Sequence, residues 1–395
     1  MRKIGMLIPQ FPGQTHMFFW REIKALEARG VVVSVFSTRK PPKGLISHDW
    51  SDEAIARTRY LGTPKPFQTL AAMASLNPRH WMKALTQHRA AFLKDFVISV
   101  GAARALKLAC AREGIAHVHV HSCGRAALVA AFSRLMGGPA YSLTLHGPLS
   151  DYGVGQELKW QHAAFATIIT RKLLAEMQRD LGPYLPDRLA IQPMGVDTST
   201  LTRKTPYVPA KGRTVRVFSC GRLNVVKGHQ DLLRAIKILR DQGMDIELRI
   251  AGEDDDGGSG FRAVLERDIR DLGLENHAQL LGAISADEVH RALLDSHIFA
   301  LASWHEPLGV AYMEAMSCAV PVIGTDSGGV PELLTHGVDG MMVPPKSPED
   351  LAAAIRELAE DEALAKRLSK AGRARVETAF HSDVGAETLI REIFG

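Results

Sequence analysis

Short apolar runs rich in β-branched residues alternate with helix-like segments along most of this chain. In the first half, these runs span residues 4–8, 31–36, 117–121, 141–145 and 167–170. Their length suits strands, and apolar character along a whole strand is typical of a sheet buried on both faces. The alternation with helices therefore predicts an α/β fold in which parallel sheets are covered by helices.

The alternating pattern restarts at Thr214 in the second half of the chain. Two successive series predict two Rossmann-like domains, and 395 residues are enough for each domain to bury its own core. We expect these domains over residues 1–197 and 214–380, joined by a proline-containing linker over residues 198–213. Ligands of such sheets bind at the carboxyl ends of strands, so the sequence predicts a site in the cleft between two domains.

Two carboxylates, Glu306 and Glu314, are separated by seven residues that begin with Pro-Leu-Gly. We expect a helix to start here, with Pro307 in its first turn, where the missing N–H costs nothing. Gly309 lets the backbone approach a ligand closely, and the free N–H groups of a helix N-terminus attract a diphosphate. Carboxylates accept hydrogen bonds from hydroxyls, so Glu306 suits a sugar and Glu314 a ribose. The alternative is an amphipathic helix with two surface carboxylates.

The surrounding stretch, residues 305–334, resembles the signature of the retaining nucleotide-sugar glycosyltransferases of family 4, which have the GT-B fold. The matching runs are Glu314-Ala315-Met316, Pro321-Val322-Ile323 and Gly328-Gly329-Val330-Pro331-Glu332. Leu308 stands where that family usually has Phe. The resemblance implies two Rossmann-like domains facing across a cleft, with the donor held by the C-terminal domain, partly at Leu308 and Gly309. It also implies that a helix over residues 381–395 returns to the acceptor-binding N-terminal domain.

A loop with a glycine and two cations, Gly221, Arg222 and Lys227, follows the first predicted strand of the second domain. A strand, such a loop and then a helix form a plausible phosphate cradle. The loop also resembles the family's G-R-x-x-x-x-K-G. That resemblance implies that Arg222 and Lys227 hold the diphosphate and stabilise its charge as the sugar leaves. Two solvated loop cations are the alternative.

His146 follows the predicted strand 141–145 and, with Thr144 and Leu145, resembles the family's T-L-H-G-x-D run. The resemblance implies a histidine that contacts the donor sugar or stabilises charge at the reacting carbon. The alternative is a histidine that orders its loop. Three more histidines alternate and therefore share one face of a strand: His117, His119 and His121. A metal site is one interpretation of that face, and a buried or acceptor-facing role without metal is the one we favour.

Other donor contacts rest on the resemblance alone. It implies that Glu253 lies near the nucleotide, that Ile284 belongs to a loop contacting the base, and that Gly13 belongs to a loop closing over the diphosphate. Glu22 stands in a run similar to one in exopolysaccharide-building members, and we expect it to be structural. The sequence Asp254-Asp255-Asp256 contains a D-x-D pattern, but its glycine-rich surroundings favour a solvated loop over a metal site.

Charge is divided unevenly, because residues 1–197 carry 25 Lys and Arg against 13 Asp and Glu, and the remainder carries 23 against 30. The basic first half indicates an anionic partner. No nucleic-acid motif is visible, so an anionic membrane surface is the preferred partner. The basic stretch 79–112 fits this idea, although a solvated basic face is the commoner explanation. Scattered cysteines and the lack of a membrane-length apolar run predict a cytoplasmic protein, at most peripheral on the inner face of the cell membrane.

The resemblance implies a retaining hexosyltransferase that uses a UDP- or GDP-sugar and a saccharide or lipid-linked acceptor in exopolysaccharide synthesis. The expected catalytic residues are Glu306, His146, Arg222 and Lys227. Neither cofactor nor metal is expected, because the two cations and the helix amides supply the positive charge that a metal would provide. Two alternatives stay open: a sugar-nucleotide epimerase on the same fold, which needs no acceptor, and a non-catalytic scaffold that binds sugar nucleotides.

Overall fold

The structure is a computed structural model that describes residues 2–13, 16–41, 49–61, 66–254 and 260–395. Two parts of the predicted loops lie outside the described residues: positions 14–15, which follow Gly13, and positions 255–256 of the D-x-D pattern. The chain divides into two compact units. Unit 1 comprises Met1–Pro193 together with Asp383–Gly395, and unit 2 comprises Met194–Ser382.

The described residues of unit 1 form a seven-stranded parallel sheet with the strand order β3-β2-β1-β4-β5-β6-β7. Its strands are β1 (Lys3–Gln10), β2 (Val32–Arg39), β3 (Thr58–Tyr60), β4 (His117–Val120), β5 (Ala140–Leu145), β6 (Ala166–Ile168) and β7 (Leu189–Ile191). Its helices are α1 (Met17–Ala28), α2 (Ser51–Arg57), α3 (Pro66–Ala74), α4 (Met82–Glu113), α5 (Arg125–Leu135), α6 (Gln156–Trp160) and α7 (Arg171–Leu181). Each of the strands β1 to β6 is thus followed by helical structure, as parallel connections require.

The centre of this sheet is buried on both faces, and most of its buried strand residues are apolar. Ile4, Met6 and Leu7 of β1 are all fully buried, and β1 pairs in parallel with both β2 and β4. In the next pairing, Val120 of β4 lies opposite Leu143 of β5. These registers place the residues that follow β1, β4 and β5 at one edge of the sheet.

Unit 2 contains a six-stranded parallel sheet in the order β10-β9-β8-β11-β12-β13. Its strands are β8 (Val215–Cys220), β9 (Ile246–Ala251), β10 (Ala278–Gly282), β11 (Ile298–Ala300), β12 (Val322–Thr325) and β13 (Met341–Val343). Its helices are α8 (His229–Asp241), α9 (Phe261–Asp271), α10 (Ala286–Asp295), α11 (Val310–Ser317), α12 (Val330–Leu333), α13 (Pro348–Glu360) and α14 (Glu362–Ala379). Both described sheets are wholly parallel and flanked by helices, which confirms the predicted α/β class.

The helix α15 (Ser382–Phe394) follows unit 2 in the sequence but packs in unit 1. Ala386 and Leu389 are buried in the same apolar cluster as Ile23 and Leu26 of α1. Arg29 also forms an ion pair with Asp383 across 2.9 Å. Among the described residues, no helix combines the length and the apolar character needed to cross a bilayer.

Candidate functional site

The carboxyl edge of the unit 2 sheet brings together most of the residues predicted to bind a donor. Gly221 follows β8, Glu253 follows β9, Ile284 follows β10 and Glu306 follows β11. These four strands are neighbours in the sheet. Because parallel strands end at the same edge, the four residues line one continuous rim.

Lys227 and Glu306 contact each other directly at this rim. The Lys227 Nζ lies 2.5 Å from the Glu306 Oε2, and the Ser303 hydroxyl donates a hydrogen bond of 3.1 Å to the same oxygen. Glu306 is only 7% exposed. Lys227 is held in turn by its backbone N–H, which donates to the Asn224 side chain. The sequence predicted a ligand contact for each residue separately, whereas the structure joins them into one largely buried ion pair.

The Gly-Gly pair of the motif fixes the backbone of Glu306. The Gly329 N–H donates a hydrogen bond of 2.8 Å to the Glu306 carbonyl. Gly328 has a φ of +65°, and a Cβ at that position would lie 2.0 Å from the same carbonyl oxygen. Only glycine fits a contact this close, so the motif glycines position the carboxylate rather than the ligand.

The helix that carries Glu314 begins later than the sequence predicted. Its first residue is Val310, and Gly309 caps it with a φ of +100°. Pro307 therefore precedes the helix and is not in its first turn, which corrects the expectation. Leu308 is buried at 3% exposure, and Glu314 lies half-buried in the second turn. The amides at the start of this helix face the same rim because they follow β11.

The remaining predicted donor residues differ in how tightly they are held. The Arg222 side chain is exposed, and Gly221 and Ile284 are half-buried. Glu253 forms an ion pair of 2.7 Å with Arg262, and its other oxygen accepts the Asp254 N–H. Glu253 is thus committed to ordering its own loop, which sequence reasoning did not anticipate.

His146 and Gly13 belong to unit 1, where a second set of polar residues collects at the carboxyl edge of the sheet. The His146 Nε2 lies 3.3 Å from the Nδ1 of His121. The Nε2 of His121 lies 2.6 Å from the Glu22 Oε2 on α1. Gly13 follows β1, and its carbonyl accepts the His16 N–H. Each predicted unit 1 residue is therefore placed near the ends of β1, β4 and β5.

Burial determines the protonation of this set. It raises the pKa of the Glu22 carboxyl to about 7, with His119 opposing that shift. Burial, together with the neighbouring His16, lowers the pKa of His121 to about 3. Burial also holds the pKa of His146 well below its usual value. All three groups are consequently uncharged or close to their midpoint at neutral pH.

His119 has hydroxyl partners at both ring nitrogens. Its Nδ1 lies 2.8 Å from the Ser142 Oγ, and its Nε2 lies 2.8 Å from the Thr144 Oγ1. Glu22, His119 and His121 offer potential metal ligand atoms that all lie within 4.8 Å of one another. Metal binding would require His119 to give up one of these hydroxyl contacts and Glu22 to separate from His121, since two ligands of one ion stand further apart than 2.6 Å.

Sequence reasoning missed Ser303, and it expected Glu22 to be structural without identifying its partner. Ser303 has no motif of its own, although its position three residues before Glu306 is a local signal that was available. The helical pattern of the sequence could have indicated that Glu22 has a partner, because a carboxylate on the buried face of an amphipathic helix requires one. Its partner His121 lies far away in sequence, so the pairing itself had no local signal.

Comparison with known families and proteins shows what this chain is similar to. Residues 206–375 match the family model described as "Glycosyl transferases group 1". The "Amylovoran biosynthesis glycosyltransferase AmsK" of Erwinia amylovora is 31% identical over 209 residues, which cover 51% of this chain and 50% of that protein. The "Putative colanic acid biosynthesis glycosyltransferase WcaL" of Salmonella typhimurium is 27% identical over 378 residues, covering 90% of each.

Among solved structures, Anabaena Alr3699/HepE in complex with UDP-glucose superposes with a TM-score of 0.75 at 18% identity, covering 99% of both chains. This likeness shows the fold, which is the two-domain α/β fold of GT-B glycosyltransferases. The aligned region spans about half the length of the first curated relatives, including 50% of AmsK.

Proposed function

Since residues 206–375 form a domain of the glycosyl transferases group 1 family, we propose that this protein is a glycosyltransferase that moves a hexosyl unit from a nucleoside-diphosphate sugar to an acceptor hydroxyl. The observation that carries the proposal is the Lys227–Glu306 pair at the rim of the unit 2 sheet, 2.5 Å apart. A cation beside a carboxylate matches a substrate that joins an anionic diphosphate to a sugar rich in hydroxyls.

The donor residues divide by the part of the ligand that each suits. Arg222, Lys227 and the amides at Leu308 and Gly309 hold the diphosphate, because they offer cations and N–H donors beside the end of β8 and the start of α11. Glu306 binds the sugar and Glu314 the ribose. Gly221, Glu253 and Ile284 line the base. The donor is a UDP- or GDP-sugar.

Transfer proceeds with retention and without a metal. Positive charge for the departing diphosphate comes from Arg222, Lys227 and the helix amides, so the site needs no divalent cation in that role. The roles proposed for His146, at the donor sugar, and for Gly13, in a loop near the diphosphate, rest on the resemblance of their motifs to the family. Proton NMR of the glycoside formed from an α-linked donor tests the stereochemistry. A β-linked product contradicts retention.

The acceptor is a saccharide, free or lipid-linked, of the kind used in exopolysaccharide synthesis. The names of AmsK and WcaL motivate this choice, since they refer to amylovoran and colanic acid biosynthesis. We also propose peripheral contact with the inner face of an anionic membrane. In its support, Phe67 and Leu70 on α3 are 87% and 63% exposed. They lie close in sequence to the basic helix α4, and paired apolar and basic residues favour anionic bilayers.

The proposal is tested by calorimetric titration with UDP, GDP, ADP and their sugar forms, without and with EDTA. The expected result is selective binding that survives EDTA and weakens about ten- to a hundredfold in Lys227→Met, because a charge-assisted hydrogen bond contributes about 1.5–3 kcal/mol. Lys237→Met is the matched control, since Lys237 pairs with Asp241 on the outer surface of α8. No binding by the wild-type protein, or equal weakening in both variants, contradicts the proposed donor site.

Membrane contact is tested separately by sedimentation with vesicles. Wild-type protein should bind vesicles that contain anionic lipid, release them as salt rises, and lose binding when Phe67 and Leu70 become serine. The control is Val338→Ser, which removes a 53% exposed apolar side chain from unit 2. Equal binding by all three proteins, or binding to neutral vesicles alone, would rule the contact out.

A further inference from the structure

Glu22, His121 and His146 form a series of short polar contacts in unit 1. The Glu22 Oε2 and the His121 Nε2 form an ion-pair contact of 2.6 Å, and neither buried atom has a hydrogen-bond partner among the described residues. Two buried polar atoms this close repel each other unless they share a proton, which requires a rotation of the carboxyl group that aligns them. The other nitrogen of His121 lies 3.3 Å from the His146 Nε2. This series of contacts runs from the buried carboxyl group of Glu22 to the half-buried imidazole of His146.

The state of Glu22 fixes the state of both rings, because a neutral imidazole carries one N–H. When Glu22 is ionised, it accepts the His121 N–H at Nε2. The Nδ1 of His121 must then accept from the His146 Nε2, which leaves the His146 Nδ1 as an acceptor. When Glu22 is protonated, it donates to the His121 Nε2. Donor and acceptor then exchange roles in both contacts, so the His121 Nδ1 donates to the His146 Nε2. The His146 Nδ1 then carries hydrogen and donates.

We propose that Glu22 and His121 are positioning residues that set whether the His146 Nδ1 accepts or donates a hydrogen bond to a hydroxyl of a bound saccharide. The identity of that ligand rests on the proposed glycosyltransferase function, whereas the chain of contacts does not. A proton taken up at the His146 Nδ1 displaces the Nε2 proton to His121, which passes its own to Glu22. The proton is stored as a neutral carboxyl group, and both rings stay neutral.

The groups around Glu22, His121 and His146 favour this transfer of a proton between neutral groups, called the relay below, over a state with a charged imidazolium. The other titratable groups that the structure describes around it are His119 and His117 on β4 and His16 after β1. His119 is fixed by hydroxyls at both nitrogens. From α15, the residue next to Glu22 is Gly385, where a Cβ would lie 3.4 Å from the Oε1. Burial also brings the pKa of Glu22 to about 7, where the relay can switch.

The test is a pH titration of the wild-type protein by two-bond proton–nitrogen NMR, which distinguishes the two tautomers of each histidine. The His146 Nδ1 should change from the protonated to the unprotonated form as pH rises, with a midpoint of about 7. In Glu22→Gln the His146 tautomer should stay constant between about pH 5.5 and 8.5, since an amide does not ionise. The matched control is Glu27→Gln on the same helix. The half-buried carboxylate of Glu27 pairs with Arg57, and the variant should titrate like the wild type.

Three results would overturn the relay. One is a His146 tautomer that does not change in the wild-type protein, and another is the same midpoint in wild type and Glu22→Gln. The third is stoichiometric zinc in the wild-type protein that Glu22→Gln loses, which would make the cluster a metal site. If the protein transfers no sugar, the proposed function fails while the tautomer titration still gives an answer. If it transfers sugar, the change in kcat near pH 7 should vanish in Glu22→Gln and persist in Glu27→Gln.

Discussion

At Gly328 there is no room for a side chain. A Cβ there would lie 2.0 Å from the Glu306 carbonyl oxygen, and the φ of +65° is one that side chains disfavour. We expect Gly328→Ala to displace Glu306, abolish sugar transfer and lower the free energy of unfolding by more than about 2 kcal/mol. Urea denaturation and a transfer assay measure the two effects.

The control for this prediction is Gly337→Ala in the same unit. Gly337 has a similar φ of +72°, but a Cβ there would meet nothing within 4 Å. The backbone strain is therefore matched and only the clash differs, so Gly337→Ala should cost about 1–2 kcal/mol and leave transfer intact. Similar losses of activity in both variants would mean that Gly328 does not act through Glu306.

Residue-level prediction from the sequence was possible where residues stand in a local motif. Glu306 and Lys227 were identified because each stands in a short motif, and the structure brings them together. The pairing of Glu22 with His121 was not predictable in the same way. It depends on α1 packing beside the end of β4, and no local spacing records such a contact.

At the scale of elements, helix α4 contains one residue in an unfavourable conformation. Arg89 has a φ of +45° and a ψ of −122°, and the helix bends there. Glycine adopts this region freely, so Arg89→Gly should raise the free energy of unfolding by about 1 kcal/mol. Lys94 is an exposed cation on the regular part of the same helix. Lys94→Gly should lower the free energy of unfolding by about 1 kcal/mol. Chemical denaturation of both variants checks the opposite signs, and a loss in both would show that Arg89 is not strained.

The elements that the sequence predicted well are those in the centres of the sheets. Runs such as Ile4 to Ile8 are apolar throughout because both of their faces are covered. The edge strands β3 and β7 were not predicted, since they are three residues long and their side chains are largely not buried. The start of α11 was misplaced because proline suggested a first turn, whereas Gly309 at positive φ ends the preceding loop.

At the scale of the whole molecule, the two units should differ in how they respond to changes in α15. Leu389 is 2% exposed in the core of unit 1, so Leu389→Ala should cost about 2–4 kcal/mol by leaving a cavity. Hydrogen exchange measured separately for each unit should show a lower free energy of unfolding for unit 1 and an unchanged one for unit 2. Val384→Ala, at a 36% exposed position of the same helix, should have little effect. A shift of the unit 2 transition by Leu389→Ala would mean that the units unfold together.

Acid should destabilise unit 2 through His229. Burial lowers the pKa of this histidine to about 4 in the folded state, below its unfolded value of 6.5. The unfolded chain therefore binds more protons between these values, and stability is lost as pH falls from about 6.5 to 4, at about 1.4 kcal/mol per pH unit. His229→Gln should remove this contribution from the unit 2 transition and leave that of His297, whose pKa burial also lowers to about 4. His277→Gln, at a half-buried position, should keep both contributions. An unchanged slope in His229→Gln contradicts the assignment.

The two ends of unit 2 are hydrogen-bonded to each other, because the Val196 N–H donates to the Phe380 carbonyl and the Ser382 N–H donates to the Val196 carbonyl. Topologically, unit 2 is an insertion into unit 1, which resumes at Asp383. The ribosome therefore synthesises all of unit 2 before it synthesises α15, which completes the core of unit 1. In the nascent chain, unit 2 can therefore complete its fold before unit 1 does, although most of unit 1 is synthesised earlier. Until α15 is available, chaperones or partial structure would have to protect the apolar surface of unit 1 that α15 covers.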